Sequence, residues 1–481
     1  MGITTTVRLR DRVLRAGGWV TAGFVLDKFI AVAQLAILAR LLTPSDFGLI
    51  AASAVTLLAL MTLSEMGIES ALVARREVSD TDLAVAWSLS ICRASVLTVG
   101  LWCGAGLIAE FFRAPELGLL LRVHACALLL QSLQSPALAV LLKQLDLGGR
   151  VRLDLCRRVI EVVVSIGLAY WLRDAWALLG GQLTGFAVGS VLSYRVAPWA
   201  PRLSFDQDVR KYFVHYAKHL NLTSVLIFGV MSGGEFVVGR TLGTGTLGMY
   251  QIALGIPLLL GTRLALLINQ VSFPAYAVLQ NDNPGMRRAL ALQLGVLATG
   301  LIPLACGVAV FAPEIVNVLF GPQWLAAGDA LRILSLFAVC AGLSGVMASL
   351  HYGLNRPDIQ TRIWMMQFGV YAAVILPFTS WFELTGAAGA LSLSMAFGLV
   401  LHIRYTIRLM GNEAIPIFLS LGRVAVSTLL GVVGILLFFN QTTGQMSRWL
   451  VFGMVLSGAS AYAYYLWRIE YPRLTGLWQG K

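Results

Sequence analysis

Apolar runs of about 20 residues follow one another along almost the whole chain, and short polar segments separate them. A run of this length is what a helix needs to cross about 30 Å of hydrocarbon. The pattern predicts an all-α polytopic membrane protein with about 14 transmembrane helices. The predicted spans are 18–41, 47–69, 83–110, 118–142, 156–172, 175–195, 213–239, 247–272, 289–311, 327–352, 360–380, 385–408, 416–439 and 448–468.

Composition and charge agree with a membrane protein. Hydrophobic residues make up 58% of the chain and charged residues 12%, whereas a soluble domain carries about 25% charged residues. The net charge of +12 raises the question of a nucleic-acid partner. However, most Lys and Arg residues, among them Arg150, Arg157 and Arg158, fall at span ends that a cytoplasmic N-terminus would place in the cytoplasm. This asymmetry follows the positive-inside rule, so we predict two cytoplasmic termini and no nucleic-acid partner.

The chain nearly repeats itself at an offset of 200 residues. LARLLTPSDFGLIAA at 38–52 aligns with VGRTLGTGTLGMYQI at 238–252, so that Gly48 falls on Gly248. In a membrane protein such doubling favours two lobes around a central pathway, here parallel repeats of six helices. We therefore predict an N-terminal lobe over 1–195 with helices 1–6, a cytoplasmic connection over 196–212, and a C-terminal lobe over 213–410 with helices 7–12. Two appended helices and a tail follow over 411–481.

Motifs of catalysis and metal binding are missing from the sequence. The six cysteines are widely spaced and suit apolar packing, and neither a Ser/His/Asp constellation nor a nucleotide-binding glycine-rich loop is present. We therefore expect no enzyme, no catalytic residue, no metal and no cofactor. An ion gradient, the substrate gradient or a partner would supply energy. Gly181, Gly185 and Gly189 stand four apart and predict a close helix contact.

Three cations fall well inside predicted spans, away from the span ends, where each costs at least about 2.5–3.5 kcal/mol without a partner or a wet cavity. Lys28, Arg93 and Arg263 lie at comparable depths, and Gln34 lies on the same helix as Lys28. One interpretation makes Arg93, Arg263, Lys28 and Gln34 the lining of a cavity for a phosphate or diphosphate, since guanidinium groups bind phosphate oxygens bidentately. The other makes them internal ion pairs, with Lys28 reaching the membrane surface.

Asp27 shares a helix face with Gln34, whereas Asp27 and Lys28 point about 100° apart and are not expected to pair. Asp27 is therefore either a protonatable coupling residue or the counter-ion of Arg93.

Glu65 and Glu69 stand four apart near the end of the second predicted span. Two carboxylates this close repel each other. They are either further coupling residues or part of a salt-bridge cluster with Arg75 and Arg76.

Several motifs resemble one known family. They are LARLLTPSDFGLIAA and SEMGIESALV in the first helix pair, SFPAYAVLQND at 272–282, and VLFGPQWLAAGDALRIL at 318–334. Together they resemble the Wzx-type flippases of the polysaccharide transporter branch of the MOP exporter superfamily. The likeness spans about residues 15–410.

The resemblance implies a bacterial inner-membrane protein that flips undecaprenyl-diphosphate-linked oligosaccharide for exopolysaccharide, capsule or O-antigen assembly. It also implies two lobes around a cationic lumen, and alternating access coupled to H⁺ or Na⁺. The implied partners are membrane lipid, the polyprenyl-diphosphate-linked glycan, and a polysaccharide polymerase with its export machinery.

Other functions remain open at this point. A multidrug or other-lipid exporter of the same superfamily would share the fold, but a drug exporter needs acidic groups where this chain has three cations against one clear acid. A membrane polymerase or ligase acting on lipid-linked glycan would carry a large catalytic loop, whereas the longest outer connection, 312–326, has no acid–base constellation. A scaffold of an export complex would leave the buried cations without a purpose.

Overall fold

A computed structural model describes residues 2–441, except for Met66, Arg76, Leu145, residues 218–220 and most of residues 264–281. The described residues form helices and turns, with no strand among them. They divide into two compact units. Unit 1 consists of the residues up to Phe228 together with Leu242–Gly248, and unit 2 of Gly229–Thr241 together with the residues from Met249 onward. The lobe boundaries drawn from the repeat stay predictions.

Among its described residues, unit 1 contains ten helices and parts of two more. They are α1 Gly2–Leu41, α2 Pro44–Leu63, α3 Ile68–Ala74, α4 Asp80–Phe111, α5 Leu117–His124, α6 Cys126–Ser132, α7 Leu138–Lys143, α8 Leu147–Leu172, α9 Ala175–Val196, α10 Gln207–Ala217, the beginning of α11 Asn221–Leu242, and the beginning of α12 Thr244–Leu258.

Unit 2 contains the remainder of α11 and α12 and the helices of the described residues that follow. They are the π-helical turn Leu259–Arg263, α13 Asn283–Val310, α14 Ala312–Leu319, the 3₁₀ turn Pro322–Trp324, α15 Ala327–Gly353, α16 Pro357–Met410, the 3₁₀ turn Asn412–Ala414, and α17 Ile415–Gln441. Apolar side chains of α13, α15 and α17, most of them leucine, alanine and methionine, form one of its buried clusters.

Within the described part of the chain, nine helices are long and apolar enough to cross a membrane. This confirms the all-α polytopic fold, while the number of 14 spans stays a prediction. The last predicted span, 448–468, lies outside the described residues. The spans predicted at 360–380 and 385–408 correspond to the two arms of α16, which meet at Glu383, where φ is 51° and ψ is −128°.

The span predicted over 118–142 is not one continuous helix. Three short helices, α5, α6 and α7, occupy it, and residues 133–137 between α6 and α7 are not helical. Pro136 lacks an N–H group and disfavours helix in the residue before it. The backbone freed by the break finds other partners, because Ser135 N donates to Ser193 Oγ (2.9 Å) and Ser135 Oγ donates to the Ala197 carbonyl (2.8 Å).

The glycines of α9 permit a close contact with α8, as their spacing predicts. A Cβ on Gly181 would press on Ser165, one on Gly185 would lie 3.0 Å from the Cβ of Glu161, and one on Gly189 would lie 2.9 Å from Cδ of Arg157. Three bare patches on one helix face let two backbones approach closely. The spacing therefore brings α8 and α9 into close contact.

The two glycines matched by the 200-residue repeat meet each other in unit 1. A Cβ on Gly48 would overlap the carbonyl oxygen of Thr244, and a Cβ on Gly248 would overlap that of Pro44. Ser45 Oγ and Thr244 Oγ1 lie 3.2 Å apart beside this crossing. The first turns of α2 and α12 therefore pack backbone against backbone, in a reciprocal contact that only glycine allows.

Candidate functional site

One face of α8 carries most of its charge. Arg150, Asp154, Arg157, Arg158 and Glu161 follow at intervals of four, three, one and three residues. At 100° per residue these positions fall within about one-third of the helix circumference. Helix α1 packs along α8, and Arg158 of this charged stripe pairs with Asp27 of α1.

A cavity of about 490 Å³ opens between α1 and α8, and we call it the α1–α8 cavity. The charged residues that line it are Asp27, Lys28, Arg150, Asp154, Arg157 and Arg158. Four of these six side chains are cationic. The structure therefore places Asp27 and Lys28, both predicted as site residues, against a cation-rich cavity.

Asp27 forms ion pairs with two basic side chains. Its Oδ2 lies 2.6 Å from Lys28 Nζ, and its Oδ1 accepts a hydrogen bond of 3.0 Å from Arg158 Nε. Arg158 also donates to Glu161 Oε1 (3.0 Å). The expectation that neighbours on α1 would not pair is wrong, because the flexible four-carbon stem of lysine reaches round the helix. Asp27 accompanies Arg158 rather than Arg93, which corrects the counter-ion alternative.

Gln34 is buried against α8. Its side-chain amide donates to Ser165 Oγ at 2.9 Å. The structure therefore brings Gln34 into the α1–α8 contact that borders the cavity, and its role in binding substrate stays a prediction.

A second cavity of about 390 Å³ lies among α2, α3, α4, α6 and α8, and we call it the α4–α6 cavity. Glu65, Glu69, Arg93 and Arg150 are its charged lining. Three of these four residues were predicted as site residues from the sequence, and the structure brings them together. Arg150 lines both cavities.

Arg93 reaches into the α4–α6 cavity from the middle of α4. Its Nη1 donates to the Ser64 carbonyl at 3.3 Å, and Glu65 is the carboxylate that attracts its charge. The buried Nε of Arg93 has no hydrogen-bond partner among the described residues. An unsatisfied guanidinium N–H at this depth is costly, and a ligand oxygen would satisfy it.

Glu65 and Glu69 do not share a helix face, which corrects the prediction of a single helix through both. Helix α2 ends at Leu63, Gly67 takes a left-handed conformation with φ of 56°, and α3 begins at Ile68. Glu69 forms an ion pair with Arg150.

The alternative of a cluster with Arg75 is also wrong for the described residues. Arg75 pairs with Asp82 instead, and Arg76 lies outside the described residues.

Three cations of the site, Arg150, Arg157 and Arg158, were assigned from the sequence to a cytoplasmic end rather than to the pathway. Their spacing on one helix face was the available signal. The predicted span began at residue 156, whereas α8 begins at Leu147, so the stripe was divided between a loop and a helix.

Arg263 ends the π-helical turn of unit 2, and its side chain lies outside what the structure describes. Its predicted role as a ligand of phosphate stays a prediction. Unit 2 has its own buried polar residues: Glu235, which interacts with the side chain of Gln251, and a group around His351 and His402. In the described ranges there is no group of three or more metal-ligating side chains.

Comparisons with known proteins agree with this architecture. A model of the family described as "Polysaccharide biosynthesis protein" matches residues 37–329, which is more than half of the chain. The lipopolysaccharide biosynthesis protein WzxC of Escherichia coli is 23% identical, over 88% of this chain and 89% of that protein. The succinoglycan biosynthesis transport protein ExoT of Rhizobium meliloti is 27% identical, over 69% of this chain and 67% of that protein.

Two solved structures share the fold. The lipid II flippase MurJ in an inward closed conformation superposes with a TM-score of 0.76 at 13% identity, covering 94% of this chain and 98% of that chain. A multidrug resistance MATE transporter of the MOP superfamily, inward-facing, superposes with a TM-score of 0.64 at 14% identity, covering 80% and 95%. These identities establish the fold alone. Together with the family match they confirm the resemblance seen in the sequence motifs, and the chain belongs to the polysaccharide biosynthesis protein family of multi-pass membrane proteins, with the fold of the MOP superfamily.

Proposed function

We propose that this protein flips undecaprenyl-diphosphate-linked oligosaccharide from the cytoplasmic to the periplasmic leaflet of the bacterial inner membrane. The observation that carries the proposal is the cation-rich lining of the α1–α8 cavity in unit 1, continued by Arg150 into the α4–α6 cavity. Two relatives named for lipopolysaccharide biosynthesis and succinoglycan transport support this, as does the fold shared with a lipid II flippase.

The charge of the lining suits a diphosphate. Four cations and two carboxylates line the α1–α8 cavity. Charged side chains within a bilayer are expensive and mark the paths of charged substrates. A guanidinium binds phosphate oxygens through two parallel N–H···O bonds, which gives geometry as well as energy. The undecaprenyl chain stays in lipid while the headgroup occupies the cavities.

Substrate binding exchanges one set of ion pairs for another. Arg150 is held by Glu69, and Arg158 by Asp27, in the ligand-free protein. A diphosphate competes with these carboxylates for the same guanidinium groups. A carboxylate released by its arginine becomes a site for H⁺ or Na⁺, because an isolated charge is costly there. This exchange gives Asp27 and Glu69 their coupling role, and Glu65 takes the same role through its attraction to Arg93.

The remaining assignments follow from the same proposal. Both termini lie in the cytoplasm, as the distribution of Lys and Arg indicates. The protein is a transporter without a catalytic step, and the flipped glycan passes to a polysaccharide polymerase and its export machinery. The role of Arg263 as a ligand of phosphate belongs to the same proposal.

The decisive experiment measures sidedness of labelled lipid-linked glycan in vesicles that contain the purified protein. We expect Arg93→Gln and Arg263→Gln to lower the initial rate of flipping at least about tenfold each, since each removes a charge-assisted contact of about 1.5–3 kcal/mol. The matched control is Arg332→Gln, because Arg332 is exposed and pairs with its helix neighbour Asp329. Its rate should stay within about twofold of the wild type, since exposed ion pairs contribute little.

Three results would contradict the proposal or its mechanism. Unchanged flipping in the Arg93→Gln/Arg263→Gln double variant, at normal protein level, would remove the role of the cations. Accumulation of glycan on the periplasmic face of a deletion strain would indicate a polymerase or ligase, whereas increased drug susceptibility with normal glycan distribution would indicate a drug exporter.

A further inference from the structure

The α4–α6 cavity carries neutral polar and aromatic side chains that the transport of a diphosphate does not use. Trp87, Gln131 and Gln134 line it, together with the hydroxyl groups of Ser90 and Ser132. A pocket of about 300–1,000 Å³ with an aromatic wall and a few polar groups is typical of small-ligand sites. At about 390 Å³ this cavity lies at the lower end of that range.

Two breaks in helical backbone face this cavity. Residues Glu65 and Gly67 come from the break between α2 and α3, and Gln134, Ser135 and Pro136 come from the break between α6 and α7. Within a membrane-spanning region, irregular backbone is tolerated only where it is buried in protein or lines a wet cavity. Interrupted helices are a feature of substrate sites in transporters.

The two cavities of unit 1 differ in the net charge of their lining. The α4–α6 cavity is lined by two cations, Arg93 and Arg150, and two carboxylates, Glu65 and Glu69. The α1–α8 cavity is lined by four cations and two carboxylates. A balanced lining suits a neutral group that both donates and accepts hydrogen bonds, whereas a cation-rich lining suits an anion.

Trp87 offers a fixed aromatic wall. Its ring packs edge to face on Trp199, with ring centroids 5.8 Å apart and an interplanar angle of 67°. The face of an aromatic ring carries partial negative charge, so the C–H groups on one side of a pyranose ring are attracted to it. A ring already held by a neighbour loses little conformational freedom when a ligand stacks on it.

The polar groups around Trp87 complement hydroxyl groups. The carboxamides of Gln131 and Gln134 can each donate and accept. Ser90 Oγ and Ser132 Oγ donate to carbonyls of their own helices, at 2.9 Å and 2.8 Å, and keep their oxygen lone pairs for a donor in the cavity. Carboxylates and guanidinium groups complete a set that pairs with vicinal hydroxyls.

We propose that the α4–α6 cavity binds the neutral sugar residue attached to the diphosphate, with Trp87 stacking on its ring and Gln131 and Gln134 reading its hydroxyl groups. Arg150 lines both cavities, so the sugar and the diphosphate, which are covalent neighbours in the substrate, occupy neighbouring sites. This inference rests on the proposed function. It names the residues that bind the sugar, which the transport of a diphosphate alone does not require.

The test compares two lipids on the full-length protein in nanodiscs: undecaprenyl diphosphate, and undecaprenyl diphosphate carrying one glucose. We expect the wild type to bind the glucose-bearing lipid about tenfold more tightly. Gln131→Met and Trp87→Leu should each reduce that preference to about twofold or less while the affinity for bare undecaprenyl diphosphate stays unchanged. Gln144→Met is the matched control, since Gln144 is exposed and lines neither cavity, and it should keep the full preference.

Equal binding of the two lipids by the wild type would overturn the sugar site while leaving the proposed function intact. The same holds if the variants weaken both lipids equally. If the wild type bound neither lipid, the proposed function itself would fail. Gln131→Met removes the polar end of the side chain at nearly constant volume, so it tests the inference even if Trp87→Leu fails to fold.

Discussion

Polar side chains have different environments and different roles in the two units. In unit 1 the pair of Arg150 and Glu69 faces cavities, with side chains 32% and 52% exposed. In unit 2 His351 and Gln360 are 0% and 1% exposed. Gln360 Nε2 lies 2.8 Å from His351 Nδ1, His351 Nε2 lies 3.1 Å from Thr406 Oγ1, and the His351 ring stacks on His402 at 5.5 Å.

The difference in exposure indicates which polar side chains serve function and which serve stability. An exposed ion pair contributes only about 0–1 kcal/mol to folding, so stability does not explain the charges that face the cavities of unit 1. A buried hydrogen-bonded group, in contrast, costs about 1–3 kcal/mol when its partner is removed. Substitutions at the cavities of unit 1 should therefore change transport, and substitutions in the buried polar group of unit 2 should change the free energy of unfolding.

The largest effect is expected for Arg150→Gln. The variant removes a cation that lines both cavities, and the loss of a charge-assisted contact worth about 2–5 kcal/mol should lower flipping by at least about thirtyfold. The free energy of unfolding should change by less than about 1 kcal/mol. Flipping in vesicles and the melting temperature of the same preparation measure the two quantities.

Arg152→Gln controls for the loss of positive charge on the same helix. Arg152 is exposed and its Nε donates to the Gly148 carbonyl at 3.2 Å, and it lines neither cavity. If Arg152→Gln slowed flipping as much as Arg150→Gln, general charge near the membrane surface would explain both, and the contrast between the units would lose its basis.

Arg150 also shows which features of the fold and site could be predicted from the sequence. The apolar runs predict the polytopic fold because bilayer thickness imposes their length. The repeat aligns Gly48 with Gly248 in the sequence, but it does not predict that the two residues touch. Arg150 was assigned to a cytoplasmic end because the apolar run begins after it, although α8 already begins at Leu147. Its position four residues before Asp154 and seven before Arg157 was sufficient to place all three on one helix face.

Contacts between distant segments account for what the sequence could not predict. The break between α6 and α7 exists because Ser193 and Ala197, some 60 residues away, accept the hydrogen bonds of Ser135. Pro136 alone is compatible with a kinked continuous helix. Similarly, the pairing of Glu69 with Arg150 joins residues that only the packing of α3 near α8 brings together.

A second prediction concerns packing in unit 1. If the two cavities are built for a ligand, the helices of unit 1 should pack tightly outside them. Gly48→Ala places a methyl group against the Thr244 carbonyl, and overpacking of this kind costs about 1–3 kcal/mol. Gly100→Ala is the control, because its Cβ would meet nothing within 4 Å and alanine favours helix. Thermal unfolding should show a melting temperature lowered by several degrees for Gly48→Ala alone. Equal melting temperatures would mean that this crossing is loose.

A third prediction tests the buried group of unit 2. Gln360→Leu leaves His351 Nδ1 without its partner and should lower the free energy of unfolding by about 1–3 kcal/mol. Flipping per folded molecule should stay within about twofold of the wild type. The double variant Gln360→Leu/His351→Leu should recover part of the loss, since replacing both partners by apolar groups removes the unsatisfied nitrogen. A flipping defect in a fully folded Gln360→Leu protein would assign this group a part in transport.

The smallest effect is expected for Glu69→Gln. If Glu69 competes with the substrate for Arg150, neutralising it should tighten binding of undecaprenyl diphosphate by about twofold, because an exposed pair is worth only a few tenths of a kcal/mol to about 1 kcal/mol. Glu77→Gln, at an exposed position outside both cavities, controls for the change in net charge. Weaker binding by Glu69→Gln would mean that Glu69 orients the Arg150 guanidinium for the substrate. The ion-pair exchange would then be lost as the basis of coupling, while the cations of unit 1 would keep their place in the pathway.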